Sequence, residues 1–152
     1  MCDGIAREYL ASIGIEGVEA SFLSDEGMVA GITYVSVQNG VRVYPESIRV
    51  RVCEEKGRVV GIDASGYLFN HTERSFSKPE VSENVALEAI SRNLTPYEIN
   101  LSLIAVDGEE VLAYEIACYT ETDTFLVYVN AASGEEIQMF RIREGEGGKY
   151  LR

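Results

Sequence analysis

The chain has 152 residues, with 13 basic and 25 acidic side chains, a formal charge of −12 and 46% hydrophobic residues. Such a length and apolar content suit one domain, or two small ones sharing a core, and exclude a disordered chain. The acidic excess disfavours nucleic acid and anionic membranes, because phosphate binding is driven mainly by lysine and arginine. No apolar run approaches the roughly 18 residues of a membrane span.

The charge is uneven: residues 1–78 carry 8 basic and 11 acidic side chains (net −3), whereas residues 79–152 carry 5 and 14 (net −9). Met1-Cys2-Asp3-Gly4 has neither the basic nor the apolar region of a secretory signal. The chain opens almost on a helix, as an excised piece of a longer protein would.

Ile5, Ala6, Tyr9, Leu10 and Ile13 fall on one face of a helix, with Asp3 as N-cap and Gly14 as its stop. Strands are predicted near 18–23, 29–38, 41–44, 47–54, 58–63 and 66–70. Gln38-Asn39-Gly40-Val41 is a hairpin signal, since Asn-Gly favours the type I′ turn. Ile48-Arg49-Val50-Arg51-Val52 alternates and places Arg49 and Arg51 on the solvent side. Glu54-Glu55-Lys56-Gly57 is the next turn, and Ser75 to Pro79 is a joint. A second helix is predicted after Pro79, with Ser82 as N-cap and Val85, Ala86, Ala89, Ile90 and Leu94 on its inner face. Strands follow near 99–106, 111–119, 124–130 and 136–142, separated by turns at Asp107-Gly108 and Glu121-Thr122-Asp123. Glu144-Gly145-Glu146-Gly147-Gly148 is expected to be loose.

One phrase occurs twice. Val60-Gly61-Ile62-Asp63-Ala64-Ser65-Gly66-Tyr67-Leu68 is echoed by Val127-Tyr128-Val129-Asn130-Ala131-Ala132-Ser133-Gly134-Glu135-Glu136-Ile137. Asp63 and Asn130 can bond backbone N–H groups two residues on, and Gly66 and Gly134 can take the positive φ that closes a reversal. The helix pattern repeats at an offset of 80 and the turn at 67, so the first unit is about 13 residues longer within its sheet. The expectation is an α+β chain of two tandem units, each a helix on an antiparallel sheet: 1–76, 80–143, and a flexible tail at 144–152.

Residues with chemistry are few. His71 is the sole histidine, with no surrounding Asp or Cys pattern, and reads as a loop or strand-end residue. Cys2, Cys53 and Cys118 have no metal-ligand spacing. Cys53 and Cys118 lie in apolar strands and read as small hydrophobes, with a Cys53–Cys118 disulfide left open. Glu109-Glu110 and Glu135-Glu136 flank turns, where solvation is the default, and Asp107-Gly108-Glu109-Glu110 lacks the calcium-loop spacing. Six tyrosines, Tyr34, Tyr44, Tyr67, Tyr114, Tyr119 and Tyr128, fall in predicted strands. No catalytic, cofactor or metal residue is assigned, and the binding residues are unknown. Repeated β-rich modules bind more often than they catalyse.

A helix, antiparallel strands and an Asp/Asn-Ala-x-Ser/Thr-Gly phrase resemble the PepSY domain. Tyr44-Pro45-Glu46-Ser47-Ile48-Arg49-Val50-Arg51-Val52, Val59 to His71 with its Gly66-Tyr67-Leu68-Phe69-Asn70-His71, and Leu126 to Glu136 resemble the C-terminal region of YpeB-type spore germination proteins. The resemblance covers roughly residues 3–142. It implies a non-enzymatic partner protein, without cofactor, that stabilises or inhibits a cortex-lytic peptidoglycan hydrolase of the SleB type. It also implies a place outside the inner spore membrane, facing the cortex, through an N-terminal anchor this chain does not contain. A propeptide-like inhibitor or chaperone of a secreted peptidase is the alternative.

Overall fold

The computed structural model describes residues 1–142 and the backbone of Lys149–Tyr150. The chain divides into two compact units, residues 1–38 with 45–72 and the C-terminal end, and residues 39–44 with 73–143.

The first unit begins with helix α1, Cys2–Ser12. Its N-cap is Met1, so Asp3 sits in the first turn instead of capping it. There Asp3 accepts hydrogen bonds from the Tyr34 hydroxyl (2.7 Å) and from Arg7 one turn on (2.9 Å). Partial burial works to raise the Asp3 carboxyl, but the Tyr34 and Arg7 hydrogen bonds outweigh it and hold the group below its ordinary value. Gly14, at φ +81°, ends the helix as expected. Ile13 faces solvent at the C-cap, and Ile15 takes the buried position.

Strands β1 (Val18–Asp25), β2 (Val29–Gln38), β3 (Val41–Cys53) and β4 (Arg58–Asp63) follow, and then helix α2 (Ser65–Asn70). Asn39 and Gly40, between β2 and β3, have φ of +51° and +77°, the geometry their dipeptide favours. In this unit the strand order is β4-β3-β2-β1. Ala6 and Leu10 of α1 pack on Ile32, Tyr34, Ile48, Val50 and Val52, all buried. Burial of each such larger apolar side chain stabilises the fold by about 1.5–3 kcal/mol.

Two expectations fail here. The predicted strands 41–44 and 47–54 are one strand that runs through Pro45. Pro45 lacks a donor but is tolerated because β3 pairs with one neighbour at Arg42 and Val43 and with β4 only from Arg49 onward. The predicted strand 66–70 is helix α2, for a reason that lies in the repeated phrase and is developed below.

The second unit contains helix α3 (Glu83–Ala89) and strands β5 (Thr95–Val106), β6 (Glu109–Tyr119), β7 (Thr124–Asn130) and β8 (Glu136–Ile142). Ser82 is the N-cap, its hydroxyl accepting from Val85 N–H at 3.3 Å. The order is β8-β7-β6-β5-β3, where the β3 segment 41–44 pairs in parallel with β5 and the other pairs are antiparallel. Ala86 and Ile90 sit on Tyr114, Ile116, Cys118, Val127 and Val129. Val85, expected on the inner face, is exposed. Asp107-Gly108 forms the β5–β6 turn with φ of +50° and +82°. A further strand, β9 (Lys149–Tyr150), pairs antiparallel with Phe22 and Leu23 of β1. The remainder of the expected tail, 144–148 and 151–152, lies outside the described residues.

Candidate functional site

The two copies of the repeated phrase fold differently, and the difference builds an exposed apolar feature of the first unit. In the second copy the Asn130 side chain accepts from the backbone N–H of Ala132 (2.8 Å) and Ser133 (3.2 Å). Gly134 N–H bonds Asn130 C=O (2.8 Å), and Gly134 then takes φ +76°, which returns the chain to β8. In the first copy Asp63 bonds Ser65 in the same way, through its backbone N–H (3.0 Å) and its hydroxyl (2.6 Å). These bonds, the hydroxyl first, hold the Asp63 carboxyl below its ordinary value.

The first copy is one residue shorter, so the fourth residue after the acid is Tyr67, not glycine. A tyrosine strongly disfavours the positive φ that closes the turn, and the chain winds on as α2, with Leu68 N–H on Ala64 C=O (2.8 Å). Gly66 therefore does not serve as a turn glycine. Its role is close approach: a Cβ there would lie 2.9 Å from Ser47 C=O and 3.1 Å from Pro45 C=O.

A six-residue helix with no buried residue cannot sustain itself. Four residues of Gly66-Tyr67-Leu68-Phe69-Asn70-His71 hold it on β3. Gly66 makes the close approach. Tyr67 packs against the α1 core. The Asn70 amide donates to Pro45 C=O (3.1 Å) and Gly66 C=O (2.9 Å). His71 caps the helix end, stacks on Tyr67 at 4.4 Å and hydrogen-bonds Glu46 through Nδ1. The two residues left over, Leu68 and Phe69, are 71% and 86% exposed.

Glu46 is fully buried on β3 and also accepts from the Gln38 amide (3.1 Å), which in turn donates to Thr72 C=O (3.0 Å). The His71 side chain that meets this carboxylate is half exposed. Burial, followed by the charge of Glu46, raises the Tyr67 hydroxyl above its ordinary value.

The second unit also buries a glutamate. Glu115 on β6 is 1% exposed and accepts from the hydroxyls of Tyr44 and Tyr128 (2.7 Å for Tyr128), with the Arg42 guanidinium 3.6 Å away. The rings of Tyr44 and Tyr128 meet edge to face at 6.3 Å. Burial and then the Glu115 charge push the Tyr128 hydroxyl well above the usual phenol range. All four side chains are packed within this cluster, whose character is structural.

Both glutamates were missed at the sequence level, although a signal was present. Each is the one charge of a short stretch within its strand, Glu46 between Tyr44 and Ile48 and Glu115 within Leu112-Ala113-Tyr114-Glu115-Ile116-Ala117. The residues weighed for chemistry do not assemble. Cys2, Cys53 and Cys118 are free thiols, and burial pushes Cys118 up to about 11. Glu110 is tied to Arg74 at 2.7 and 3.0 Å, and that hydrogen-bonded pairing lowers its carboxyl. An open cleft in the second unit, bounded by Ser77–Glu80, Glu110–Leu112 and Asn130–Ala132, is lined by neither histidine nor cysteine. Among the described residues no group of three His, Cys, Asp or Glu side chains could hold a metal, and no helix is long and apolar enough to cross a membrane.

Fold and sequence define the class first: an α+β protein with PepSY domains. A family model described as YpeB sporulation, PepSY1 and PepSY2 domains, matches residues 2–77. The chain belongs to this YpeB sporulation family. Sporulation protein YpeB of Bacillus subtilis (strain 168) is 39% identical over 115 residues, covering 75% of this chain and 26% of that protein. The protein of the same name from Halalkalibacterium halodurans is 32% identical over 142 residues, covering 93% and 32%. The Bacillus megaterium YpeB C-terminal domain superposes with a TM-score of 0.86 at 28% identity, covering 94% of this chain and 64% of that one. The chain thus spans about a quarter to a third of the curated relatives' length. The role these relatives indicate is in sporulation, and they do not belong to catalytic families.

Proposed function

We propose that this chain is a non-enzymatic binding module that stabilises or inhibits a cortex-lytic peptidoglycan hydrolase of the SleB type in the spore, at the outer face of the inner spore membrane. The observation that carries this is α2. A helix too short to stand alone, with no fully buried residue, is held on β3 by Gly66, Tyr67, Asn70 and His71. Structure held in this way suits presentation to another macromolecule. Membership of a sporulation family supports the setting.

The test is a titration of the chain with its cognate hydrolase by calorimetry at low salt. The expected result is a saturable complex with a dissociation constant in the micromolar range or tighter. Absence of binding at micromolar concentrations at low salt would overturn the reading.

A further inference from the structure

Resting on the hydrolase-partner reading above, we propose that Leu68 and Phe69 are the anchor of that complex, and that they enter an apolar pocket on the partner whose rim carries lysine or arginine. The two side chains are adjacent in sequence and exposed, at 71% and 86%. They lie on a segment whose backbone is fixed by its neighbours, so little conformational freedom remains to be lost on docking. Interface energy concentrates in a few clustered side chains that fill a desolvated pocket, and a preorganised, exposed Phe69 with Leu68 beside it offers such a cluster.

The charge around them selects the partner. From Val59 to Thr72 the sequence has no lysine or arginine, and its one formal charge, Asp63, is acidic, exposed and two residues ahead of α2. The buried carboxylate of Glu46, bonded to His71, adds negative charge behind the helix. A cationic rim complements this segment, whereas an acidic one would be repelled.

Three variants test the inference against the same hydrolase by surface plasmon resonance over about 50–200 mM salt, the range over which such steering fades. Leu68→Ser with Phe69→Ser is expected to weaken binding at least about tenfold, mainly through faster dissociation. Asp63→Asn is expected to slow association and flatten its salt dependence while leaving dissociation nearly unchanged. Asn keeps the turn bond at position 63, as Asn130 does in the second copy. Met139→Ser, half exposed on β8, is the control and leaves both rates alone. Thermal midpoints accompany each variant, and since Leu68 and Phe69 bury little, their loss leaves the fold intact. Wild-type affinity in the Leu68/Phe69 variant, or an unaltered salt dependence in the Asp63 variant, overturns the inference and leaves the hydrolase reading standing. A wild-type chain that does not bind overturns both.

Discussion

The two units answer the same sequence phrase in opposite ways. After Asn130 the chain closes a five-residue turn on Gly134 and returns at once to β8. After Asp63 it lacks a glycine at the matching place, winds into α2 and leaves Leu68 and Phe69 in solvent. The buried glutamates diverge in parallel. Glu115 is enclosed by two tyrosines and an arginine, whereas Glu46 meets a half-exposed histidine that caps α2. A single-residue difference in a turn thus separates a unit that seals its polar centre from one that uses its polar centre to hold a surface element.

The contrast can be broken first at the glutamates. Glu115→Ala leaves Arg42 and two tyrosines around an emptied site and is expected to cost about 3–5 kcal/mol in urea unfolding. Glu46→Ala is expected to cost less, about 1–3 kcal/mol, because His71 can turn to water, but it frees α2 and weakens hydrolase binding. Equal costs, with binding unaffected, would erase the distinction between the two centres.

The turns come next. Gly134→Ala puts a side chain at φ +76° and a Cβ 3.3 Å from Val85, so unfolding should become easier by about 1–2 kcal/mol. Gly66→Ala has no such φ penalty but pushes on the Ser47 and Pro45 carbonyls, and its expected effect is displacement of α2, read as loss of the Tyr67–His71 stacking in NMR spectra.

Alkaline pH sharpens the comparison further. The folded state raises the Tyr128 hydroxyl through burial and the Glu115 charge, and the Tyr34 hydroxyl through burial and Asp3. For a raised group the stability is present below the unfolded value, about pH 10 for tyrosine, and is lost as pH rises past it. Urea midpoints should therefore fall above about pH 10, and Tyr128→Phe should flatten that fall although it also removes the Glu115 hydrogen bond. The smallest expected effect is that of Asp63→Asn, with a thermal midpoint within about 2 °C of wild type, since Asn130 performs the same turn function in the second copy.

Much of the fold was legible because it rests on local rules. The period of Ile5 to Leu10, the Asn39-Gly40 and Asp107-Gly108 turns and the Ser82 cap each fix a boundary through chemistry confined to a few residues. Two features required tertiary information. Pro45 could stay within a strand because of where β4 and β5 pair with β3, which no window of sequence reveals. Gly66-Tyr67-Leu68-Phe69-Asn70-His71 has a β-compatible composition, and its helix is decided by the Asp63 bond ahead of it and by anchors on Ser47, Pro45 and Glu46. The candidate site was hidden for the same reason: Leu68 and Phe69 fall in a predicted strand, 66–70, until the turn before them is known to become a helix.

In the proposed complex the first copy of the phrase, and not the second, presents the chain to its partner. Hydrogen–deuterium exchange on the full chain, with and without the cognate hydrolase, compares the two copies in one experiment. The complex is expected to slow exchange across Ser65–His71 and to leave Ala131–Glu136 unchanged. Protection confined to Ala131–Glu136, with Ser65–His71 exchanging as in the free chain, would contradict this expectation.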